Sequence, residues 1–148
     1  MSDSVKGLPA GYRTTFAQIM RILAMVTGTA AVVQFTLAGL GAFGSLNKER
    51  DWGAHETLGN VIGALTLLVL IAAIVSRPGV RPLVASIVLF VLAAPIQPIL
   101  ANAGKNDGVG WGAVHALCGV IILATSGVVS RKIDATPAQA APTVPAAS

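Results

Sequence analysis

Residues 57–76 read TLGNVIGALTLLVLIAAIVS, a run of twenty residues that contains no charged side chain. An α-helix rises about 1.5 Å per residue, so a helix of this length crosses the ~30 Å hydrocarbon core of a bilayer. Similar runs place four predicted spans at about residues 22–43, 57–76, 83–101 and 111–130. The segments SLNKERDWG, RPGVRP and NAGKNDGVG separate these spans, and each combines charge with Gly, Pro or Asn. The chain is therefore predicted to be an all-α membrane protein.

The composition supports the same class of protein. Hydrophobic residues make up 54% of the chain and charged residues 11%, whereas a soluble domain carries about 25% charged residues. A pI near 9.9 raises the question of a nucleic-acid partner. The basic residues are scattered and no aromatic residues are interleaved with them, so we expect a lipid bilayer and no nucleic acid.

Short loops make consecutive helices antiparallel neighbours, which predicts an up-down four-helix transmembrane bundle. Lys and Arg accumulate in cytoplasmic loops. Three of the ten basic residues lie on one side of the predicted bundle, namely Lys48, Arg50 and Lys105. The other seven lie on the opposite side, namely Lys6, Arg13, Arg21, Arg77, Arg81, Arg131 and Lys132. We therefore predict a multi-pass protein of the inner (plasma) membrane with both termini in the cytoplasm.

Three parts of the chain follow from this topology. Residues 1–15 form a predicted cytoplasmic N-terminal segment, and residues 16–132 form the transmembrane domain. Residues 133–148 are rich in Ala and Pro, carry one charge and have no apolar periodicity. Such a composition is typical of disorder, so we expect a disordered cytoplasmic tail.

Two short stretches resemble each other, DWGAHETLG at residues 51–59 and GWGAVHALCG at residues 110–119. They contain all the tryptophans and histidines of the chain, Trp52, Trp111, His55 and His115. The tryptophans open the second and fourth spans, where headgroup-level Trp is common, and each histidine lies about 5 Å deeper. Helices one and three carry Gln34 and Gln97 upstream of these stretches. The chain is interpreted as a possible tandem repeat of two helical hairpins.

Two imidazoles at one depth on diagonal helices suggest a shared ligand. Diagonal helix axes lie about 12–14 Å apart in such a bundle, which leaves room for a flat cofactor between the rings. Haem iron accepts axial imidazoles, so His55 and His115 are predicted metal ligands of one b-type haem. The predicted cofactor site also includes four neighbouring residues: Gly59, Gly119, Gln34 and Gln97.

Other interpretations remain open at this point. Two imidazoles alone are too few for zinc, and bare copper lacks a Cys or Met partner there. Glycines such as Gly59 and Gly63, taken alone, favour close helix packing, and the glutamines equally indicate helix–helix hydrogen bonds. Pro95 and Pro98 predict a kink or break in helix three. The cations Lys48, Arg50 and Lys105 could meet haem propionates or be solvated loop charges.

The sequence contains no catalytic set and no phosphate-binding loop, so it assigns no reaction and no catalytic residue. A haem-bearing protein would exchange electrons with quinone, with an external partner or within a larger membrane complex. The alternative is a non-enzymatic structural or accessory subunit without a cofactor. A small-solute or ion transporter ranks last because Gln34 alone lies near the predicted midplane.

The stretch QFTLAGLGAFG at residues 34–44, followed by HETLG at residues 55–59, resembles one half of haem A synthase. That family pairs histidines at a haem site in a four-helix bundle, and the likeness is best over residues 30–63. This sequence has Trp52 where the family has a carboxylate, and it lacks the paired loop cysteines and the second half. The resemblance implies a haem-binding bundle without the synthase reaction. The whole chain also resembles small four-span bacterial membrane proteins of uncharacterised function.

Overall fold

A computed structural model describes residues 9–43, 48–106 and 108–131, and all the regular structure there is helical. The helices are α1 (Ala10–Phe43), α2 (Lys48–Ser76), α3 (Val80–Val91), α4 (Gln97–Asn106) and α5 (Val109–Ser130), and a π-helical turn (Leu92–Ile96) joins α3 to α4. The predicted tail, residues 133–148, lies outside the described residues, as do residues 1–8 of the predicted N-terminal segment.

Four segments within these helices are long and apolar enough to cross a membrane, which confirms the predicted fold class. They are Ala10–Gly41, Trp52–Ser76, Val80–Asn106 and Gly110–Ser130. The helices extend beyond the apolar runs: α1 begins at Ala10, whereas its predicted span begins near residue 22. Hydropathy detects only the part of a helix that matches the bilayer core, and polar residues such as Arg13 do not interrupt a helix.

The helices form a four-sided bundle. Helix α1 packs against α2 and α5, while the third span packs against α2 through α3 and the π turn, and against α5. Within the described residues, α2 and α5 have no Cα pair within 8 Å, which places them on a diagonal of the bundle. The "histidine end" is the end where α2 and α5 begin, near His55 and His115. The opposite end, near Arg77 and Arg81, is the "arginine end".

The buried residues repeat along the chain. Pairs of buried residues on α2 and α5 are separated by 60 positions: Ile62 with Ile122, Thr66 with Ser126, and Val69 with Val129. Pairs on the first and third spans are separated by 62 positions: Ala24 with Ser86, Thr27 with Leu89, and Ala31 with Ala93. The two hairpins are thus packed on one common pattern.

The π turn changes the spacing by one residue. Beyond it, the matching residues are separated by 63 positions, as in Gln34 with Gln97. The Gln97 N–H donates to the carbonyl of Leu92, five residues earlier. Since one residue turns an α-helix by about 100°, the extra residue resets which side of α4 faces the bundle. The predicted disturbance at Pro95 is therefore a π turn, after which the helix continues.

Close packing of α4 on α5 depends on Gly104. A Cβ atom at this position would lie 3.1 Å from the backbone nitrogen and 3.2 Å from the Cα of Gly112. These are backbone atoms, so they cannot move aside without separating the two helices. We expect Gly104→Ala to lower the free energy of unfolding by about 1–3 kcal/mol, measured as thermal unfolding in detergent micelles.

Gly53→Ala is the matched control for this prediction. A Cβ atom at Gly53 meets no atom within 4 Å, and alanine is the better helix former. The control is expected to unfold at the wild-type temperature or above it. Equal unfolding temperatures for the two variants would show that the α4–α5 contact is not tight.

Candidate functional site: a histidine pair in a cavity

The two histidines lie beside one cavity at the histidine end of the bundle. The cavity has a volume of about 830 Å³ and is lined by residues of all four spans. Both imidazoles are half-buried, and their ring centroids are 6.2 Å apart with an angle of 58° between the ring planes. The side chains thus reach towards each other across the diagonal between α2 and α5.

The His55 ring is held by Gln34 through a reciprocal pair of hydrogen bonds. The Gln34 side-chain amide donates to the backbone carbonyl of His55 at 2.8 Å. In return, Nδ1 of His55 lies 3.3 Å from the backbone carbonyl oxygen of Gln34. Each residue therefore supplies one side-chain and one backbone group, and α1 is joined to α2 at this point.

The His115 ring is held by Gln97 in the same way. The Gln97 amide donates to the backbone carbonyl of His115 at 3.3 Å, and Nδ1 of His115 lies 3.2 Å from the backbone carbonyl oxygen of Gln97. This pair joins α4 to α5. The two Gln–His pairs therefore repeat one arrangement in the two hairpins, and the π turn provides the register for the second.

These contacts determine the tautomer of both rings. A carbonyl oxygen only accepts hydrogen bonds, so Nδ1 must carry the hydrogen in each neutral imidazole. The lone pair of each ring then lies on Nε2. Metal-binding histidines commonly show this feature, because a backbone carbonyl that accepts from one nitrogen orients the other towards the metal.

The ring separation bears on what could lie between the histidines. Metal–imidazole bonds are about 2.0–2.1 Å long, so two bonds in line through one metal place the ring centroids roughly 6 Å apart. The observed 6.2 Å agrees with that value. The expected distance of about 12–14 Å referred to helix axes, and the side chains account for the difference.

Gly59 and Gly119 both line the cavity, but each also lies close to a side chain of a neighbouring helix. A Cβ atom on Gly59 would lie 3.3 Å from Nε2 of Gln34, and one on Gly119 would lie 3.2 Å from the Phe35 ring. The group nearest to each glycine is therefore a side chain of the neighbouring helix. Gly59 leaves space for the amide that binds the His55 carbonyl, a role for which the sequence offers no direct signal.

The floor of the cavity is apolar and comes from all four spans. It contains Ala31, Ile62, Ala93 and Ile122, all of them buried. The next layer towards the arginine end contains the fully buried Thr27 and Thr66, whose hydroxyls donate to carbonyls of their own helices at 2.8 Å. The closed end of the cavity is therefore followed by a layer of buried side chains.

The mouth of the cavity is polar. Lys105 on α4 forms an ion pair with Glu56 on α2, and Asn102 lines the cavity nearby. The sequence did not reveal this pair, because its members are 49 positions apart and each resembles a solvated charge. Trp52 makes an edge-to-face contact with His55 at 5.4 Å between ring centroids.

A bare metal ion would find few ligands in this cavity. Within residues 9–43, 48–106 and 108–131, no group of three or more His, Cys, Asp or Glu side chains could hold one. Structural and catalytic zinc sites use four and three protein ligands, respectively. The histidine pair alone falls short of either number of ligands.

The tautomer of the rings can be measured directly. We expect both histidines of the purified protein, at a pH where the rings are neutral, to show Nδ1 protonated and Nε2 unprotonated in ¹⁵N NMR spectra. Gln34→Leu should leave the His55 tautomer in place, since the ring bonds the backbone carbonyl of residue 34. Nε2-protonated rings would contradict the hydrogen bonding described above.

Part of the chain is similar to a family whose function is unknown. Residues 34–103 match the model of a family of unknown function (DUF6220). This segment runs from Gln34 through the second and third spans, and it includes His55 and Gln97 but not His115. No curated protein and no solved structure matches the chain. The likeness to haem A synthase therefore rests on the quoted residues alone, and the chain is similar to an uncharacterised family over about half its length.

Proposed function

We propose that this protein binds one b-type haem, with His55 and His115 as its two axial ligands. The observation that carries the proposal is the geometry of the pair. Both rings have Nδ1 on a backbone carbonyl, and their centroids are 6.2 Å apart. This combination leaves two Nε2 lone pairs for one metal and fixes the orientation of each ring before binding.

The donor set fits haem better than it fits a bare ion. Haem supplies four nitrogens of its own and accepts up to two ligands from the protein, and two histidines are available. The volume of the cavity, about 830 Å³, lies within the ~300–1,000 Å³ range of pockets that hold small molecules and cofactors. Its apolar floor and polar mouth suit a ligand that has an apolar body and charged edge groups.

The protein residues would bind, orient and shield the cofactor. Gln34 and Gln97 hold the two imidazoles, and Ala31, Ile62 and Ile122 exclude water from the closed end of the cavity. Bound haem supplies one-electron exchange. A single haem at one end of the bundle does not span the bilayer, so electron transfer would need quinone or another subunit of a larger membrane complex as partner.

The charge distribution supports an orientation. The arginine end carries Arg13, Arg21, Arg77, Arg81 and Arg131 among the described residues, and basic residues favour the cytoplasmic side. We therefore propose that the histidine end faces the outer side of the inner (plasma) membrane, with both termini in the cytoplasm.

The test is a titration of the purified, detergent-solubilised protein with haem. We expect a Soret band and a reduced-minus-oxidised difference spectrum typical of six-coordinate, low-spin haem. His55→Ala or His115→Ala should each abolish the low-spin spectrum and weaken binding at least tenfold, because one axial ligand is lost. The double variant should not bind haem specifically.

Cys118→Ala is the matched control for these variants. Cys118 is buried on α5, one turn beyond His115, and it is the one other side chain of this helix that commonly binds haem iron. The spectrum of this variant is expected to equal that of the wild type. A wild-type protein that shows no Soret band after haem addition would overturn the proposal.

One observation favours a second candidate, a structural or accessory subunit without a cofactor. Each Gln–His pair already joins two helices by two hydrogen bonds, which is sufficient reason to retain the histidines. In that case His55→Asn and His115→Asn, which keep a polar amide near the carbonyl, would change only the unfolding temperature. Co-purification of a stable partner without any haem spectrum would favour this candidate.

A further inference from the structure

The bundle is open on one side at the histidine end. Helix α2 packs against α3 and the π turn, but among the described residues it has no Cα pair within 8 Å on α4. After the π turn, α4 thus lies apart from α2. The Lys105–Glu56 ion pair joins the two helices at the histidine end, and both of its side chains line the cavity.

This ion pair is well placed for exchange. The side chains of Lys105 and Glu56 are 63% and 53% exposed, and exposed ion pairs contribute little to stability. A carboxylate from a ligand can therefore replace Glu56 at the ammonium group at small cost. Lys105 is also held close to the cavity, since the preceding residue, Gly104, packs against the backbone of Gly112.

The walls of the cavity indicate how a ligand enters. The closed end is lined by Ala31, Ile62, Ala93 and Ile122, and the open end carries Asn102, Glu56 and Lys105. An amphipathic ligand would enter with its apolar body first and leave its anionic edge at the ion pair. The anionic edge of the ligand and the ammonium group of Lys105 attract each other at the mouth, and added salt screens this attraction.

We infer that Lys105 is the anchoring cation for a carboxylate of the ligand, and that Glu56 holds Lys105 at the mouth until the ligand displaces it. The inference rests on the proposed function, where the ligand carboxylates are the haem propionates. Lys48 and Arg50 were predicted as further partners of these groups, but their side chains lie outside the described part of the structure.

The experiment compares haem with haem dimethyl ester, which has the same ring and iron but no carboxylates. Binding of each to the purified full-length protein is followed by the Soret band. We expect the wild type to prefer the free acid roughly two- to fivefold, as suits one exposed ion pair. This preference should shrink when salt is added.

Three variants separate the parts of the inference. Lys105→Gln should lose the preference for the acid and keep the affinity for the ester. Glu56→Gln should bind the acid more tightly than the wild type, because the competing carboxylate is gone. Arg81→Gln, at the arginine end, is the control and should retain the full preference. Circular dichroism and thermal unfolding confirm that each variant is folded.

The outcomes distinguish the two proposals. If the wild type binds both porphyrins with equal affinity, or if Lys105→Gln retains the preference, the anchoring role of Lys105 is wrong while haem binding stands. If neither porphyrin binds to the wild type, the proposed function fails and the anchoring role fails with it. Tighter binding of the acid by Glu56→Gln supports the exchange directly, and weaker binding contradicts it.

Discussion

The arrangement at the histidine end depends on one requirement, that polar groups within apolar surroundings find hydrogen-bond partners. An imidazole and an amide in a membrane helix are costly unless they are paired. The Gln34 amide nitrogen and Nδ1 of His55 meet this requirement by bonding each other's backbone carbonyls, whereas the side-chain oxygen of Gln34 is buried without a partner. Because each ring bonds a backbone carbonyl, its position is fixed by the adjacent helix of the same hairpin and not by a mobile side chain.

That requirement also explains the irregularity in the third span. Gln97 must face His115 as Gln34 faces His55, yet the buried residues before Gln97 follow the first helix with a spacing one residue shorter. The π turn inserts the missing residue, and Pro95 and Pro98 leave backbone carbonyls without an i+4 donor, which favours the wider turn. The π turn replaces some of the regular hydrogen bonds of the α-helix. It lies at the level of the cavity, where α4 also lies apart from α2.

Much of this fold could be predicted from the sequence, because bilayer thickness translates directly into runs of apolar residues. The four spans, their order and the equal depth of His55 and His115 need only helix geometry. The Gln34 and Gln97 contacts were one of two open interpretations, and the sequence did not say that both side chains bond the histidine carbonyls. One sequence signal that the two hairpins match is the spacing of Gly41 and Gly104, since each follows its glutamine by seven residues.

Features that join distant positions could not be predicted. The Glu56–Lys105 ion pair connects α2 to α4 across 49 positions of the sequence, and exposed charges carry no periodic signal. The ring separation of 6.2 Å depends on side-chain rotamers, which helix-axis distances do not determine. The start of α1 at Ala10 was likewise hidden, because hydropathy measures the membrane core and not the helix.

The symmetry of the site, and the places where it fails, bear on what the cavity recognises. Two matched hairpins place one Gln–His pair on each side of the cavity, so a molecule bound between them would meet the same group from two opposite directions. A flat, nearly symmetric molecule satisfies that condition, whereas a compact polar solute does not. The two halves differ at the mouth: Trp52 packs over Gly41 in one, while Gly104 packs on Gly112 in the other, and the ion pair occupies one side. In the proposed complex, the asymmetric part of the haem would therefore lie at the mouth, and its symmetric part between the histidines.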